Sequence, residues 1–514
     1  MSSLSDLLPA GAGGKNVTFT ANGTISQGDA VAIESSGQVA AITQSTQSEG
    51  ANSGQVGETQ SVEMSASVFD PTRQCLVVAY RNNNNNNYGQ GKGFPPNGSI
   101  GSSAAFSAGN TYLLAGSSAT TQEKTSNYLS GTFDSTNNYV VFVWRDGNNS
   151  ATAVTGVAGA NPTFNAISTA IGSGTNFTPE ICYDSTNQKI VVVSSDFNSN
   201  CLNYNVGTVN SNGTITFGTQ VTGFQPSGAT TYYQNKMAFD STNNKVCLTY
   251  MDGSGTLYSL AGTVSGNSIS WGSPYSYAPG YLGAGTTNPD FAIAYDPIGN
   301  AITGVFRLTN SSNYPALVSL RYSTANSRFE KILVPKLLAA VSMGNGSCGA
   351  GYSALAKKVI ITYWLGSGQP MYGQTVEVSG NTITESSPAL SFFTPGGSIE
   401  YVSLGAMDVT GTLGQASIFF KNNNQSNRGD IFIYTAGVAQ TNVSGFIGVA
   451  DQNIANAATG SVTVKGGIAT NGLSGLTPNQ NYYVADDGTI STTSTGLKIG
   501  KALSTSSINL EFQT

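Results

Sequence analysis

The chain has 514 residues, a net charge of −6 and an isoelectric point near 4.8, and only 9% of its residues are charged. So acidic and sparsely charged a chain has no basic surface to neutralise phosphates, which argues against nucleic acid as a partner. It also has no histidine, so the commonest general base and metal ligand is missing.

Residues 1–14 read as an N-terminal docking arm. Leu4, Leu7 and Leu8 have the i, i+3, i+4 spacing of one amphipathic turn, and Ala-Gly-Ala-Gly-Gly then releases the arm as a linker. The start has no basic segment followed by an apolar run, so it does not read as a secretory signal. No stretch of the chain approaches the ~18 apolar residues of a membrane-spanning helix. Residues 15–45 hold two short strands around turns, in VTFTANGTISQGDAVAI and GQVAAIT, and residues 46–60 are polar.

A strand-turn-strand unit then recurs. VFDPTRQCLVVAYRN carries Asp70, TFDSTNNYVVFVWRDGN carries Asp134, and CYDSTNQKIVVVSSDFN carries Asp184. MAFDSTNNKVCLTYMDGSG carries Asp240 and AYDPIGNAITGVFRLTN carries Asp296. Two degenerate copies follow, with Ser353 in place of Asp and then with Asp408. The period is about 56 residues. Val246, Leu248 and Tyr250 alternate with Cys247 and Thr249, the period-2 signature of a strand. Each Asp opens a turn, because Asp and Asn side chains bond their own backbone and tolerate left-handed φ. These aspartates therefore read as turn formers rather than catalytic acids.

Two more strands complete each unit, as in TLYSLAGTV and SISWGSPYSY after Asp252, or LNYNVGTV and TITFGTQV after Asp196. Seven four-stranded units predict an all-β fold, with a seven-bladed β-propeller over residues 46–436. The last unit lacks an outer strand after GDIFIYTAG. Segment 46–60 is expected to supply it and so close the ring, removing two exposed sheet edges. Residues 437–514 alternate short strands with Gly, Asn-Gly and Asp-Asp-Gly turns, the pattern of a small β-barrel or sandwich.

Five cysteines, Cys75, Cys182, Cys201, Cys247 and Cys348, show no metal-binding spacing. Cys75, Cys182 and Cys247 lie within repeat strands and read as small core hydrophobes. No metal and no cofactor is expected.

Both ends carry a shared pattern. Ala21, Gly23, Ile25, Gly28, Asp29 and Val31 form its first part; Gly448 with Ala450, Gly475-Leu476-Thr477, Tyr482-Tyr483-Val484 and Gly500 to Ser504 form the rest. Asn479 departs from it, standing where the pattern has Gly. These motifs resemble a module of tailed-bacteriophage virion proteins, and the repeats and the opening LSDLLPAGAGGK resemble structural proteins of marine tailed phages. The resemblance implies one small β-domain begun by residues 15–45 and finished by 437–514, with the propeller inserted between. It also implies a place on the virion surface, with other capsid or tail proteins as partners and homo-oligomerisation left open.

The loop after the second strand of each unit is polar. Arg81, Tyr88, Arg145, Asp146, Asp196, Asn198, Asp252, Arg307, Trp364 and Lys421 are the candidate ligand-binding residues there. Amides, Arg and aromatics suit neutral host-surface glycans, whereas turn chemistry alone also accounts for most of these residues. Calcium is weakly supported, because each loop offers one carboxylate and the ion takes six to eight oxygens. A glycosidase needs paired carboxylates, and Glu180, Asp290, Glu330 and Glu400 form no motif. The expectation is a non-enzymatic virion surface protein, a tail-associated adhesin. A capsid decoration protein and a polysaccharide depolymerase are the alternatives.

Overall fold

The computed structural model describes residues 15–511 except 34–36, 43–44, 47–49, 52–53, 85–86, 96–110, 114–126, 173–177, 197, 227–231, 279–290, 309–311, 333–334, 345–346, 367, 387–388, 396, 408–413, 437–438, 441–444, 485–487 and 493–496. The arm with Leu4, Leu7 and Leu8, and the last repeat anchor Asp408, lie outside the described residues. The described chain is all-β with antiparallel ladders, and it divides into two compact units, residues 49–436 and residues 1–48 with 437–514.

In the larger unit each repeat becomes one sheet of consecutive hairpins. Asn127–Asp134, Tyr139–Arg145, Ala151–Val157 and Thr163–Phe164 lie in order, and Ser168–Ile171 pairs the third strand beside the fourth. The sheets that begin at Glu180–Asp184, Tyr232–Asp240, Phe291–Asp296 and Cys348–Ser353 repeat this order.

The turn between first and second strands is built by its aspartate. Asp240 Oδ1 accepts from the amides of Thr242 at 3.0 Å and Asn243 at 2.9 Å, and Oδ2 accepts from Asn243 Nδ2 at 2.7 Å. Asp134 and Asp184 do the same with Thr136, Asn137, Thr186 and Asn187. Ser353 stands in for the acid, its Oγ accepting from the amide of Ala356 at 3.1 Å. The threonine then reaches the next sheet: Thr72 Oγ1 donates to Asn138 Oδ1 at 2.8 Å and Thr186 Oγ1 to Asn244 Oδ1 at 2.7 Å.

The alternation along the second strand does not separate core from solvent. Lys245–Asp252 is buried on both faces after its first residue. Val246, Leu248 and Tyr250 pack with Val191 and Val193 of the preceding sheet, while Cys247 and Met251 pack with Phe291, Ile302 and Phe306 of the following one. The sheets are therefore stacked face to face, which is why the second strands read as nearly continuous apolar runs.

The 16-residue strand Gln55–Asp70 serves two sheets. Its second half pairs with Cys75–Asn82, from Val62 opposite Asn82 to Asp70 opposite Cys75. Its first half pairs with Arg428–Thr435, with Gly429 opposite Glu58 and Ile431 opposite Gln55, and Gly50–Ala51 extends that pairing at Tyr434 and Thr435. The last repeat thus receives its outer strand from the segment that precedes the first repeat. First strands of successive sheets are neighbours all the way round, and Ile399–Met407 returns to Gln55–Asp70.

The smaller unit takes strands from both chain ends. Asn16–Thr20, Thr459–Val464, Phe446–Ala450, Ala30–Ile33 and Val39–Ala41 form one sheet. Ile468–Ala469, Ser507–Leu510, Leu497–Ser504, Asn481–Val484 and Ile490–Ser491 form the second. Ala30, Ala32, Phe446 and Val449 of the first sheet share a core with Val484, Ile499 and Ile508 of the second. Gly28 has φ +89°, and a Cβ there would lie 2.6 Å from Gly472 O. Asn479, the departure from the terminal pattern, has φ +70°, a conformation that Asn tolerates better than other non-Gly residues.

Candidate functional site

The larger unit encloses a cavity of about 320 Å³. The residue four before each repeat anchor lines it: Ala66, Ser130, Glu180, Lys236, Ala292, Gly349 and Leu404. Each of these seven first strands therefore contributes the residue at the same repeat offset, Gly349 doing so by its backbone alone. Most of that ring is small or apolar. The exception is Glu180 with Lys236, whose Nζ lies 2.9 Å from Glu180 Oε2. Above and below it, Ser65 Oγ donates to Tyr401 O at 2.7 Å, Ser67 and Ser403 share a hydrogen bond at 2.9 Å, and Asn235 Nδ2 donates to Thr178 Oγ1 at 3.1 Å. Sequence reasoning missed Lys236, although the fixed offset from Asp184 and Asp240 was a signal that could have paired it with Glu180.

The hairpins between second and third strands lie at the end of the sheets where the first strands begin. Most of the predicted ligand-binding residues there are buried and engaged. Asp146 Oδ1 accepts from the amides of Asn148 and Ser150, and Oδ2 accepts from Thr152 Oγ1. Asp196 accepts from the amides of Asn198 and Ser199, and Asp252 from those of Ser254 and Thr256. Asn82 and Asn422 hold their hairpins the same way, accepting from the amides of Asn84 and Asn424. These side chains staple turns.

Arg145 is buried, and its Nε donates to Asn149 Oδ1 at 3.0 Å. Burial pulls its pKa below the usual value, opposed by nearby Tyr128 and Asp146. Trp364 Nε1 donates to Gln369 O at 3.0 Å within its own hairpin, and Tyr88 and Arg307 are buried. Arg81 and Lys421 meet in one cluster. Arg81 Nη1 lies 3.4 Å from Glu63 Oε2, while Lys421 Nζ lies 3.2 Å from Glu400 Oε2, 3.8 Å from Glu63 Oε1 and 5.5 Å from the Tyr401 ring centre. Burial, reinforced by Glu63 and Glu400, pushes the Tyr401 phenol up to about 12.

What faces solvent at these hairpins is one step beyond the predicted residues. Asn84, Asn148, Asn198, Ser254, Gln369, Asn424 and Gln425 are exposed. Of the predicted set, Asn198 alone belongs to this rim. The exposed surface of the hairpin tips is thus built of amides and hydroxyls, with the aspartates beneath held by backbone amides and Arg81 and Lys421 in ion pairs.

No protein-family model matches the chain, and no curated protein matches it. Solved structures to which the chain is similar include AofleA from Arthrobotrys oligospora, at 11% identity and a TM-score of 0.41, over 69% of this chain and 92% of that one. They also include the periplasmic gluconolactonase PpgL of Pseudomonas aeruginosa, at 10% identity and 0.43, over 74% and 96%. The SapL1 lectin, solved with alpha methyl fucoside, matches at 10% identity and 0.39, over 65% and 98%. The larger unit is a propeller-like repeat fold by its own sheet order, and its chemistry is read from its own residues.

Proposed function

We propose that residues 49–436 form a seven-bladed β-propeller inserted into a small β-domain made by both chain ends, and that the protein is a non-enzymatic component of a tailed-phage virion surface. In this reading the propeller presents its rim of hairpin tips to neutral host-surface glycans. The rim carries the proposal: exposed Asn148, Asn198, Ser254, Gln369 and Asn424 offer donors and acceptors without net charge, which is what a neutral polyhydroxylated surface pairs with. The virion placement rests on the resemblance of the terminal motifs. Among the described residues of the cavity lining Glu180 is the one carboxylate, and it is paired with Lys236.

The test is binding of the purified protein to polysaccharide extracted from susceptible host cells. Replacing Asn148, Asn198 and Asn424 together by Ala should weaken binding at least tenfold and leave the melting temperature within a degree or two. Undiminished binding by the triple variant would remove the rim from the account. Release of reducing ends from that polysaccharide would make the protein a depolymerase instead. Immunogold labelling on the capsid rather than the tail would assign it to shell decoration.

A further inference from the structure

An asparagine of the smaller unit carries an inference separate from the rim. In an Asn-Gly pair the glycine nitrogen can attack the preceding side chain, because glycine has no Cβ to block the approach. Three such pairs lie among the described residues: Asn22-Gly23, Asn212-Gly213 and Asn471-Gly472, and all three asparagines are exposed. What separates them is the glycine N–H, whose proton must leave before the nitrogen can attack. Gly23 N donates to Asn456 Oδ1 at 2.8 Å, and Gly213 N donates to Asn210 O at 2.9 Å. A hydrogen bond that only the protonated amide can make opposes its ionisation. Asn212 is held further, its Oδ1 accepting from Thr214 N at 3.1 Å and from Thr214 Oγ1 at 2.8 Å.

Asn471-Gly472 is held in neither way. Among the described residues, neither the Gly472 amide nor the Asn471 side chain has a hydrogen-bond partner. Gly472 is itself exposed and has φ +72°. Its other side is pressed against the chain that enters the first sheet: a Cβ on Gly472 would lie 2.5 Å from Gln27 C and from Gly28 N. Gln27 and Gly28 lead into Ala30–Ile33 of the first sheet, and Gly472 follows Ile468–Ala469 of the second. The backbone is thus open to reaction at a place where the two sheets meet with no spare room.

We propose that Asn471 is a modification site, an asparagine that deamidates with water as the one net co-reactant, and that its conversion to isoaspartate loosens the contact between the two sheets. Hydroxide takes the Gly472 amide proton, and the nitrogen forms a bond to Asn471 Cγ. The bond from Cγ to the side-chain nitrogen breaks. That nitrogen leaves as ammonia, its third proton coming from water, which restores the hydroxide. The five-membered imide then takes up water. Opening at Cγ gives aspartate, and opening at the main-chain carbonyl gives isoaspartate, with one more methylene in the backbone; nothing is oxidised or reduced. The added length falls beside the contact of Gly472 with Gln27 and Gly28, which has no void to absorb it.

The experiment is incubation of the full chain at 37 °C, at pH 6 and at pH 8, followed by tandem mass spectrometry of its peptides. Asn471 should convert about tenfold faster than Asn22 or Asn212, as one retained hydrogen bond would give, and faster at pH 8 than at pH 6. Electron-transfer fragmentation should find isoaspartate beside aspartate at that position. In the converted protein, separated by ion exchange, the amides of peptide 25–33 should exchange faster than in N471D, which has the new charge without the added methylene. N471Q should neither convert nor change its exchange on incubation. Conversion of Asn22 or Asn212 as fast as Asn471 would overturn the proposal, as would an intact Asn471 in native protein while a denatured control converts at all three sites. So would converted protein whose 25–33 exchange matches that of N471D.

Discussion

Asp240 is the position where the repeat motif can be tested most sharply. Its carboxylate is 1% exposed and holds the amides of Thr242 and Asn243 together with the side chain of Asn243. Asn243 in turn donates to Asn300 Oδ1 at 3.1 Å in the next sheet, so the acid also fixes a contact between repeats. Substituting Ala removes three charge-assisted hydrogen bonds, each worth about 1.5–3 kcal/mol. Thr242 is exposed and Asn243 half-buried, so water recovers part of the loss, leaving about 3 kcal/mol. A unit of about 390 residues has an unfolding entropy of about 0.8 kcal/mol/K, so D240A should lower Tm by about 4 °C. D240N keeps the Oδ1 acceptor and loses mainly the bond from Asn243 Nδ2, so it should cost about 1 °C. Differential scanning calorimetry of the three proteins decides the matter. A D240A melting point within 1 °C of wild type, or D240N as damaging as D240A, would refute this account of the turn.

Asp296 differs from its counterparts because Gly299 replaces the asparagine that would donate to Oδ2. Burial raises its pKa, opposed by backbone groups of Gly299, Ile298 and Val378. The folded state therefore binds the proton more tightly than the unfolded state. Stability is full below the unfolded carboxylate value and falls as pH rises through the raised folded value. D296N should accordingly gain in Tm over wild type at pH 7 and gain little at pH 3, and an equal shift at both would contradict the assignment. Gly299→Ala places a Cβ 2.5 Å from Val378 O, so it should cost about 1–3 kcal/mol, or roughly 1–4 °C by calorimetry. All five cysteines are free and buried, and burial pushes the Cys75 thiol up to about 11 and also raises Cys182 and Cys247. Ellman's reagent at pH 8 should label none of these five in the native protein and all five after denaturation.

Much of the architecture was legible because one unit repeats. The Asp-x-Thr-Asn-Asn turns followed from residue types at fixed offsets, whereas the expected fourth strand is split in two, Ser268–Trp271 and Tyr275–Ala278 both pairing the third strand of their repeat. The two-sided burial of the second strands did not follow. The alternation of Val246 with Cys247 marks a strand but does not say what covers each face, and stacking of sheets buries both. The candidate site was less legible for a related reason. Asp146, Asp196 and Asp252 carry the residue types of ligand sites and of turn staples alike, and only geometry shows their lone pairs held by backbone amides. The joint at Gly299 shows the limit most clearly. Its glycine reads as a turn residue, yet what requires it is the carbonyl of Val378, far along the sequence.

The central claim is that the ring is closed by the chain's own leading strand, Gln55 to Ser61 pairing with Arg428 to Ile431. Native-state hydrogen exchange with peptides covering 54–62 and 426–434 tests it directly. The account predicts that both peptides exchange slowly and only through opening of the whole propeller, with the same denaturant dependence as peptides of Lys245–Asp252. Rapid, denaturant-independent exchange in 54–62, beside slow exchange in 245–252, would show an open edge and contradict it.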